Sequence, residues 1–280
     1  MRCAVKKGVL AGTPFLFKDA WKAFGLTFCS NEFILCRTFS SVTENLRVKG
    51  ASVENVKKHF EEEAPEFDGL ILKLIPYYKE LTDALVSAIP FDRLQPVTVL
   101  DLGCGTGTVA LNILKAFPNA RITCLDFAAN MIDMARAKLS TYPQTRFVVG
   151  DFRNFEFSES YQVVVSSLAL HHLETDEEKR GCYQKIHDAL APGGCFYNAD
   201  VVLASGEHLQ DVYMEKWTEY MGRKVPREEI ENTWLPKYRD EDRPAKLMEQ
   251  LSWLSAIGFL QVDVLWKYYN FAVYGGIKEG

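Results

Sequence analysis

The chain has 280 residues, of which 48% are apolar and 25% are charged. This is ordinary globular usage, and it excludes a disordered chain, a fibrous repeat and a small protein that depends on disulfides. The net charge of −5 is unevenly distributed, because residues 1–50 carry +5 and residues 51–280 carry −10. An acidic body argues against a large nucleic-acid interface, which usually carries net positive charge.

Seven cysteines form no CxxC pair, and their odd number supports neither a disulfide framework nor a zinc knuckle. We therefore expect a reducing compartment, the cytoplasm. No apolar run reaches the length of about 18 residues that a membrane-spanning helix needs, so we expect no membrane partner.

Residues 1–50 show no helical period and contain seven aromatic residues and three cysteines. We predict a poorly ordered or accessory extension there. A targeting segment, a helical cap over a ligand cleft and an upstream stretch foreign to the natural chain are the alternatives. Asp19, Glu32 and Glu44 argue against a transit peptide, which is poor in acidic residues.

From residue 53 the pattern is regular. Residues 53–89 predict two or three helices, with a break near Pro65 and a bend at Pro76. Strands and helices then alternate. The predicted strands are 97–103, 121–127, 145–152, 161–170 and 195–202, and the predicted helices between them are 108–117, 128–140 and 175–190.

The last third of the chain breaks this alternation. We predict helices at 208–222 and 246–259, a charged helix and loop between them, and a C-terminal hairpin of two strands. Upstream, Thr175 and Glu178 predict a capping box, and Pro192-Gly193-Gly194 predicts the end of that helix. Strands that alternate with helices of this length predict an α/β fold with a doubly wound parallel sheet.

The segment Asp101-Leu-Gly-Cys-Gly-Thr-Gly107 joins the first predicted strand to the first helix of the alternation. Glycines at this place let the backbone turn sharply and let a ligand lie against the main chain, close to the free N–H groups of the helix. Taken alone, such glycines form turns more often than ligand cradles. The strand–turn–helix context favours ligand binding.

Two acidic residues end the next predicted strands. Asp126 lies 19 residues after Gly107, where a carboxylate can accept hydrogen bonds from both hydroxyls of a ribose. Asp151 follows Gly150, where a carboxylate can accept from an adenine amino group while Phe152 flanks the ring. A helix cap is the alternative role for Asp126. The combination predicts a nucleoside site at the carboxyl ends of the strands.

The spacing also indicates which nucleoside cofactor binds. An NAD fingerprint prefers G-x-G-x-x-G, whereas this chain has G-x-G-x-G and Thr108 follows the third glycine. The Asp101 carboxylate would repel a pyrophosphate but suits an amino-acid ammonium group. We therefore predict S-adenosylmethionine (SAM) as the cofactor. The C-terminal hairpin agrees, because a seventh, antiparallel strand is typical of SAM-dependent enzymes.

The motifs DLGCGTG, LDFAANMIDMA, GDF, SSLALHHL and ALAPGG resemble those of class I SAM-dependent methyltransferases over about residues 54–278. FDGLILKLIPYY, HHL and YNFAVYGG are most similar to the branch of carboxy-SAM synthases and tRNA wobble-uridine methyltransferase-like enzymes. The resemblance implies a domain over residues 51–280 with a Rossmann-like sheet of seven strands. This sheet is mostly parallel with an antiparallel strand in the C-terminal hairpin, beside N-terminal helices and inserted lid helices at about 206–240.

The resemblance also implies roles for individual residues. It implies Asp101, Gly103 and Gly105 near the methionine moiety, Asp126 on the ribose, Met131, Asp151 and Phe152 at the adenine, Leu168 beside the sulfonium, and Tyr77 or Tyr78 over the cofactor. Cys104, Gly107 and Phe127 complete the predicted cofactor-binding set.

A general base is needed only when the acceptor carries a proton of high pKa. His171 and His172 follow the fourth strand, and we predict one of them for this role with a pKa near neutrality. Backbone hydrogen bonding is the alternative for both, and Asp200 is a further candidate base. We predict no metal ligand.

The sequence carries neither Asn-Pro-Pro-Tyr after the fourth strand nor a Pro-Cys nucleophile, which favours a small-molecule acceptor over a nucleobase. The aromatic residues of the inserted helices are candidates for a lid, with a core role as the alternative. They are Trp217, Tyr220, Trp234 and Tyr238.

Three other functions stay open: a carboxy-SAM synthase, an enzyme acting on the tRNA wobble uridine, and a non-catalytic SAM-binding protein. Carboxy-SAM synthases bind the extra carboxylate with an Arg before the last large helix. This chain has Thr233-Trp234-Leu235 there, with Arg227 and Arg239 nearby, so we favour ordinary SAM and methyl transfer. A homodimer is also kept as an expectation.

Overall fold

The computed structural model describes residues 53–63, 66–157 and 159–280. The extension predicted for residues 1–50 lies outside these described residues, and its role stays a prediction. In the described part of the chain, every helix is too short or too polar to span a bilayer.

Among the described residues, three helices precede the sheet, as the sequence predicts for residues 53–89. They are α1 (Val53–Glu63), α2 (Phe67–Leu74) and α3 (Tyr78–Ser87). Pro76 lies in the short turn between α2 and α3, where a proline cannot continue the first helix. Tyr77 follows with a φ of 51°, so the chain reverses there in the left-handed region.

Seven strands form one sheet in the spatial order β3-β2-β1-β4-β5-β7-β6. The strands are β1 (Thr98–Leu102), β2 (Arg121–Asp126), β3 (Thr145–Val149), β4 (Tyr161–Ser167), β5 (Leu190–Val201), β6 (Phe259–Tyr268) and β7 (Phe271–Lys278). The first five pair in parallel, and β7 is antiparallel to both β5 and β6. The predicted α/β fold with an antiparallel C-terminal hairpin is confirmed.

Seven helices follow β1. They are α4 (Thr108–Ala116), α5 (Ala129–Lys138), α6 (Asp176–Ala189), α7 (Glu207–Met221), α8 (Arg227–Glu229), α9 (Leu235–Glu241) and α10 (Leu247–Ile257). A 3-10 turn covers Leu170–His172, and a π-helical segment, Ile230–Trp234, joins α8 to α9. The inserted segment is therefore more helical than the predicted helix and loop.

The buried apolar residues form two layers, one on each face of the sheet. Successive side chains of β1 point to opposite faces, so Val99 packs with α3 and α4 while Leu100 packs with α6 and α10. A sheet buried on both faces leaves the carboxyl ends of its strands as the place for a site.

The capping prediction holds, because the Thr175 hydroxyl accepts from the Glu178 N–H at 3.1 Å. The predicted helix end before Pro192-Gly193-Gly194 is confirmed within one residue, but the predicted start of the fifth strand at Cys195 is five residues too late. The helix ends at Ala189, and β5 begins at once. Tyr161 pairs with Leu190 but Val163 pairs with Cys195, so the proline and glycines form a bulge in β5.

Candidate cofactor-binding and active site

The glycine loop leaves β1 and turns sharply into α4. Its three glycines have φ values of +66° at Gly103, +51° at Gly105 and +80° at Gly107, which favour glycine over any residue with a Cβ. The Gly103 and Cys104 N–H groups both donate to the Leu125 carbonyl, at 2.8 and 3.0 Å. The loop is therefore fixed against the end of β2.

Gly103 is needed for packing as well as for its φ. A Cβ at this position would lie 2.3 Å from Ala169 Cβ, and Phe152 Cε1 would lie 3.8 Å away. Protein atoms therefore occupy the space beside Gly103. The structure brings Phe152 to the loop, and its adenine-flanking role stays a prediction.

Asp101 is fully buried, and neither of its carboxylate oxygens has a hydrogen-bond partner among the described residues. A buried polar group without a partner is costly, so such a group points to a missing ligand. Burial, together with the charge of Asp126, raises the pKa of Asp101 to about 7. This carboxylate fits the ammonium group of SAM.

Asp126 caps the helix that follows it, which is the alternative role that the sequence left open, and its ribose role stays a prediction. Its Oδ1 accepts from the Ala128 N–H at the start of α5, and its Oδ2 accepts from the Gly105 N–H, both at 2.9 Å. Burial raises its pKa to about 6, although these backbone bonds act in the opposite direction. A carboxylate has about four acceptor positions, so ribose hydroxyls fit the remaining ones.

Apolar residues from three segments pack together beside Asp126. Met131 is 1% exposed, and Phe127 faces the Phe60 ring of α1 with their centroids 6.1 Å apart. Phe60 also contacts Phe67 of α2 at 6.2 Å. The N-terminal helices therefore cover the predicted ribose and adenine positions.

Asp151 already has a cationic partner. Arg153 donates to it through the backbone N–H and through Nε, each at 2.9 Å. Burial opposes ionisation, but the guanidinium outweighs it and lowers the pKa of Asp151 below its usual value. The adenine role of Asp151 stays a prediction, and any adenine contact would share the carboxylate with Arg153.

The two tyrosines after Pro76 face different regions. The Tyr77 ring contacts the rings of Tyr220 and Tyr268, with centroids 5.8 and 4.9 Å away. Tyr78 is turned towards Asp101, and burial together with the charge of this carboxylate raises the pKa of the Tyr78 phenol. The Asp101 charge therefore acts on Tyr78, and the covering role of either tyrosine stays a prediction.

Leu168 follows β4 with a φ of +52°, which is uncommon outside glycine. Its N–H donates to the Ala199 carbonyl at 2.8 Å. This turn ends β4 at Ser167, three residues before the predicted end, and places Leu168 at the rim of the sheet beside β5.

A polar cluster that the sequence analysis missed joins α2 to the glycine loop and α5. The Asp68 carboxylate accepts from the Thr106 hydroxyl at 2.6 Å and pairs with Lys138 Nζ at 2.7 Å. Lys138 also donates to the hydroxyls of Thr106 and Thr108, each at 2.8 Å. In the sequence motif, the hydroxyl groups of Thr106 and Thr108 were the only sign of this cluster.

His171 and His172 are brought together, with ring centroids 4.0 Å apart. Burial lowers the pKa of His171, but Asp200 and Asp242 outweigh it and raise the pKa to about 10. Burial and the charge of His171 lower the pKa of His172 to about 4. Neither imidazole has the near-neutral pKa predicted for it.

The Asp200 carboxylate accepts hydrogen bonds from several neighbouring residues. It accepts from His171 Nδ1 at 2.5 Å, from the Val201 N–H at 2.9 Å and from Asn198 Nδ2 at 3.2 Å. Asn198 continues the network to the Tyr274 hydroxyl at 2.9 Å. These contacts give Asp200 a positioning role for His171.

The aromatic residues proposed for a lid divide into two groups. Trp217 belongs to the core, because its Nε1 donates to the Leu74 carbonyl at 2.7 Å and its ring contacts Tyr238 at 5.1 Å. Trp234 lies farther out and donates to Glu229 at 2.9 Å.

The N-terminal helices and the inserted segment meet at the mouth of the cleft. His59 of α1 contacts Glu241 of α9 at 2.9 Å and also Lys237. The neighbouring Phe60 ring lies 5.4 Å from that of His172. α1 and α9 therefore cover the histidines together.

Comparisons with known proteins agree with this geometry. Residues 99–194 match the methyltransferase domain family. The chain is 28% identical to a carboxy-S-adenosyl-L-methionine synthase of Wolinella succinogenes, over 79% of this chain and 94% of that protein. It is also 28% identical to a malonyl-[acyl-carrier protein] O-methyltransferase of Halalkalibacterium halodurans, over 50% of this chain and 52% of that protein.

A solved structure of an O-methyltransferase family protein from Burkholderia thailandensis has the same fold. Its TM-score is 0.58 at 18% identity, and the match covers 81% of this chain and 63% of that chain. Together with the strand order, the domain match and the relatives matched over nearly their whole length, this similarity supports a class I SAM-dependent methyltransferase near the carboxy-SAM synthase branch.

Proposed function

We propose that this enzyme transfers a methyl group from SAM to a small-molecule acceptor. The observation that carries the cofactor site is the buried Asp101 carboxylate, which has no partner among the described residues. Bound SAM supplies an electrophilic methyl group on a sulfonium. The protein has to orient the two reactants and exclude water.

Different residues of the site bind the cofactor, orient it and exclude water. Asp101 binds the ammonium group and Asp126 binds the ribose hydroxyls, while the glycine loop gives the cofactor access to the main chain. Tyr78 covers the methionine end. Phe60 and Met131 provide apolar contacts for the nucleoside, and their burial keeps water from the cofactor.

Two observations support a small acceptor. Helices α1 and α9 meet over the histidines, where His59 contacts Glu241, and a small acceptor is compatible with this cover. The body of the chain is also acidic, because residues 51–280 carry a net charge of −10. A polyanion such as tRNA would be repelled by these charges.

Carboxy-SAM synthesis is the second candidate, because relatives of that name are similar over nearly their whole length. The side chains near the expected arginine position favour ordinary SAM instead. The stretch there is Thr233-Trp234-Leu235, and Trp234 Nε1 donates to Glu229 at 2.9 Å. Arg227 is 87% exposed and pairs with Glu231, and Arg239 is exposed on α9.

Mass spectrometry of the ligand retained through purification separates these two functions. We expect SAM or its demethylated product, and carboxy-SAM would favour the second candidate. Calorimetry with SAM tests the cofactor site directly. A chain that retains neither cofactor and shows no heat of SAM binding would remove both proposals.

A screen of small acceptors with methyl-labelled SAM tests the acceptor class. We expect label in a small product and none in bulk tRNA. Labelled tRNA would instead support the wobble-uridine alternative. If SAM binds but no acceptor in a broad screen becomes labelled, the non-catalytic SAM-binding role is favoured.

The proposal includes a cytoplasmic location. Cys104, Cys124, Cys182 and Cys195 are all free and buried, in keeping with a reducing compartment. Fractionation of the native source with a compartment marker tests this location, and recovery of the protein with a membrane or secreted fraction would contradict it.

A further inference from the structure

Three donor atoms converge in the turn after β4 and at the end of α9. They are His171 Nε2, His172 Nδ1 and Asp242 Oδ1, and all lie within 4.8 Å of one another. We propose that these side chains bind a divalent transition-metal ion of the zinc class. Such an ion goes beyond the proposed methyl transfer, and its binding does not depend on it.

The distances between the donors fit an ion. Asp242 Oδ1 lies 3.4 Å from His171 Nε2 and 3.7 Å from His172 Nδ1. Ligands around a tetrahedral zinc ion, with bonds of about 2.0–2.1 Å, lie about 3.4 Å apart. Hydrogen bonds between such atoms are normally shorter, about 2.7–3.2 Å, so this spacing fits either a bound ion or an ion pair of protonated His171 with Asp242.

The donor types are suitable. Two imidazoles and one carboxylate are ligands for zinc and for related ions such as cobalt, whereas magnesium prefers oxygen ligands alone. Three protein ligands leave at least one coordination position for water or for an oxygen of the acceptor.

A second shell is already built behind His171. Asp200 Oδ1 contacts His171 Nδ1 at 2.5 Å, which directs Nε2 towards Asp242. Metal-binding histidines usually donate their second ring N–H to such a carboxylate. The His171 ring is 7% exposed, and burial fixes its orientation further.

The position of the ion would join two parts of the cleft. His171 and His172 follow β4, beside the predicted sulfonium position at Leu168, whereas Asp242 directly follows α9. An ion bound by all three would fasten the end of the inserted segment to the rim of the sheet.

Zinc titration of the full chain without a histidine tag, after treatment with a chelator, tests the proposal. We expect one ion per chain by calorimetry and by elemental analysis after gel filtration. His172→Gln and Asp242→Asn should each weaken zinc binding by about 100-fold or more. His208→Gln is the matched control, because His208 is exposed on α7.

Cobalt provides a readout that needs no variant. Substitution with Co²⁺ should give visible absorption bands of a nitrogen and oxygen site, without the strong near-ultraviolet charge transfer of thiolate ligands. A native chain that binds no zinc, thiolate charge transfer in the cobalt form, or folded variants that bind as the native chain does would overturn the site. The three residues would then be an ion-pair cluster only.

Discussion

The Thr106 hydroxyl donates a hydrogen bond to the Asp68 carboxylate at 2.6 Å, which ties the glycine loop to helix α2. Lys138 completes the cluster from α5. The contact explains how N-terminal helices that precede the sheet in sequence are held against the cofactor loop. It also makes the position of the loop depend on a residue 38 positions upstream.

Asp68→Asn should therefore weaken SAM binding. The substitution removes the charge that holds Lys138 and weakens one hydrogen bond, which together are worth about 1 kcal/mol and correspond to about fivefold in Kd. Calorimetry with SAM measures this change. Asp83→Asn breaks an exposed pair with Lys79 and should leave Kd unchanged. Equal effects of the two variants would show that the cluster does not support the loop.

Gly103→Ala should destabilise the folded protein by about 2–5 kcal/mol. The new methyl group would lie 2.3 Å from Ala169 Cβ, and the φ of +66° adds backbone strain. Gly181→Ala is the control, because nothing lies within 4 Å of its added Cβ in α6, and it should stabilise by about 0.5–1 kcal/mol. Denaturant unfolding measures both.

A second substitution separates the two causes at Gly103. Ala169→Gly in the Gly103→Ala background removes the clash and leaves the strained φ. We expect the double variant to recover about 1–3 kcal/mol, the part that is due to overpacking. No recovery would assign the whole effect to backbone conformation.

The alternating pattern predicted the order and type of the strands because each is a short apolar run between glycines and helical segments. The same local signals missed the start of β5, because Pro192-Gly193-Gly194 has the composition of a turn but lies in a bulge of the strand. Pairing with β4 decided this stretch, and β4 lies far from it in sequence. Local turn propensity does not contain that information.

The candidate site likewise contains residues that local sequence signals predicted and residues that they did not. The positions of Asp101 and Asp126 at the carboxyl ends of β1 and β2 were predictable, because both residues end apolar runs beside the glycine loop. Their roles towards the cofactor stay predictions. The Asp68 cluster was not, because it joins residues from three segments. The pKa values of His171 and His172 also depend on Asp242, which lies about 70 residues farther along the chain and gives no local signal.

Tyr78→Phe should reduce SAM affinity more than Tyr77→Phe does. Tyr78 lies near Asp101 and the glycine loop, whereas Tyr77 contacts Tyr220 and Tyr268. Loss of one hydroxyl near the cofactor should raise Kd by about 3–10-fold. Calorimetry on both variants checks this difference, and a larger loss with Tyr77→Phe would return that residue to the cofactor.

The substitution Asp101→Asn should weaken SAM binding and, above neutral pH, stabilise the ligand-free fold. The folded pKa of about 7 lies above the ordinary value near 3.8, so the carboxyl stabilises the ligand-free fold at low pH, and this contribution is lost as the pH rises through about 7. At pH 8 the ligand-free variant should therefore be more stable than the native chain, by roughly 2–4 kcal/mol.

SAM binding should show the opposite dependence. The ammonium group prefers the ionised carboxylate, so native affinity should rise between about pH 6 and pH 8, and Asp101→Asn should lower it by about 100-fold at pH 8 and flatten the profile. Calorimetry across this range, with Asp83→Asn as control, measures both. If the variant binds SAM as tightly as the native chain at pH 8, Asp101 does not hold the ammonium group, and the partner of its buried carboxylate has to be sought elsewhere.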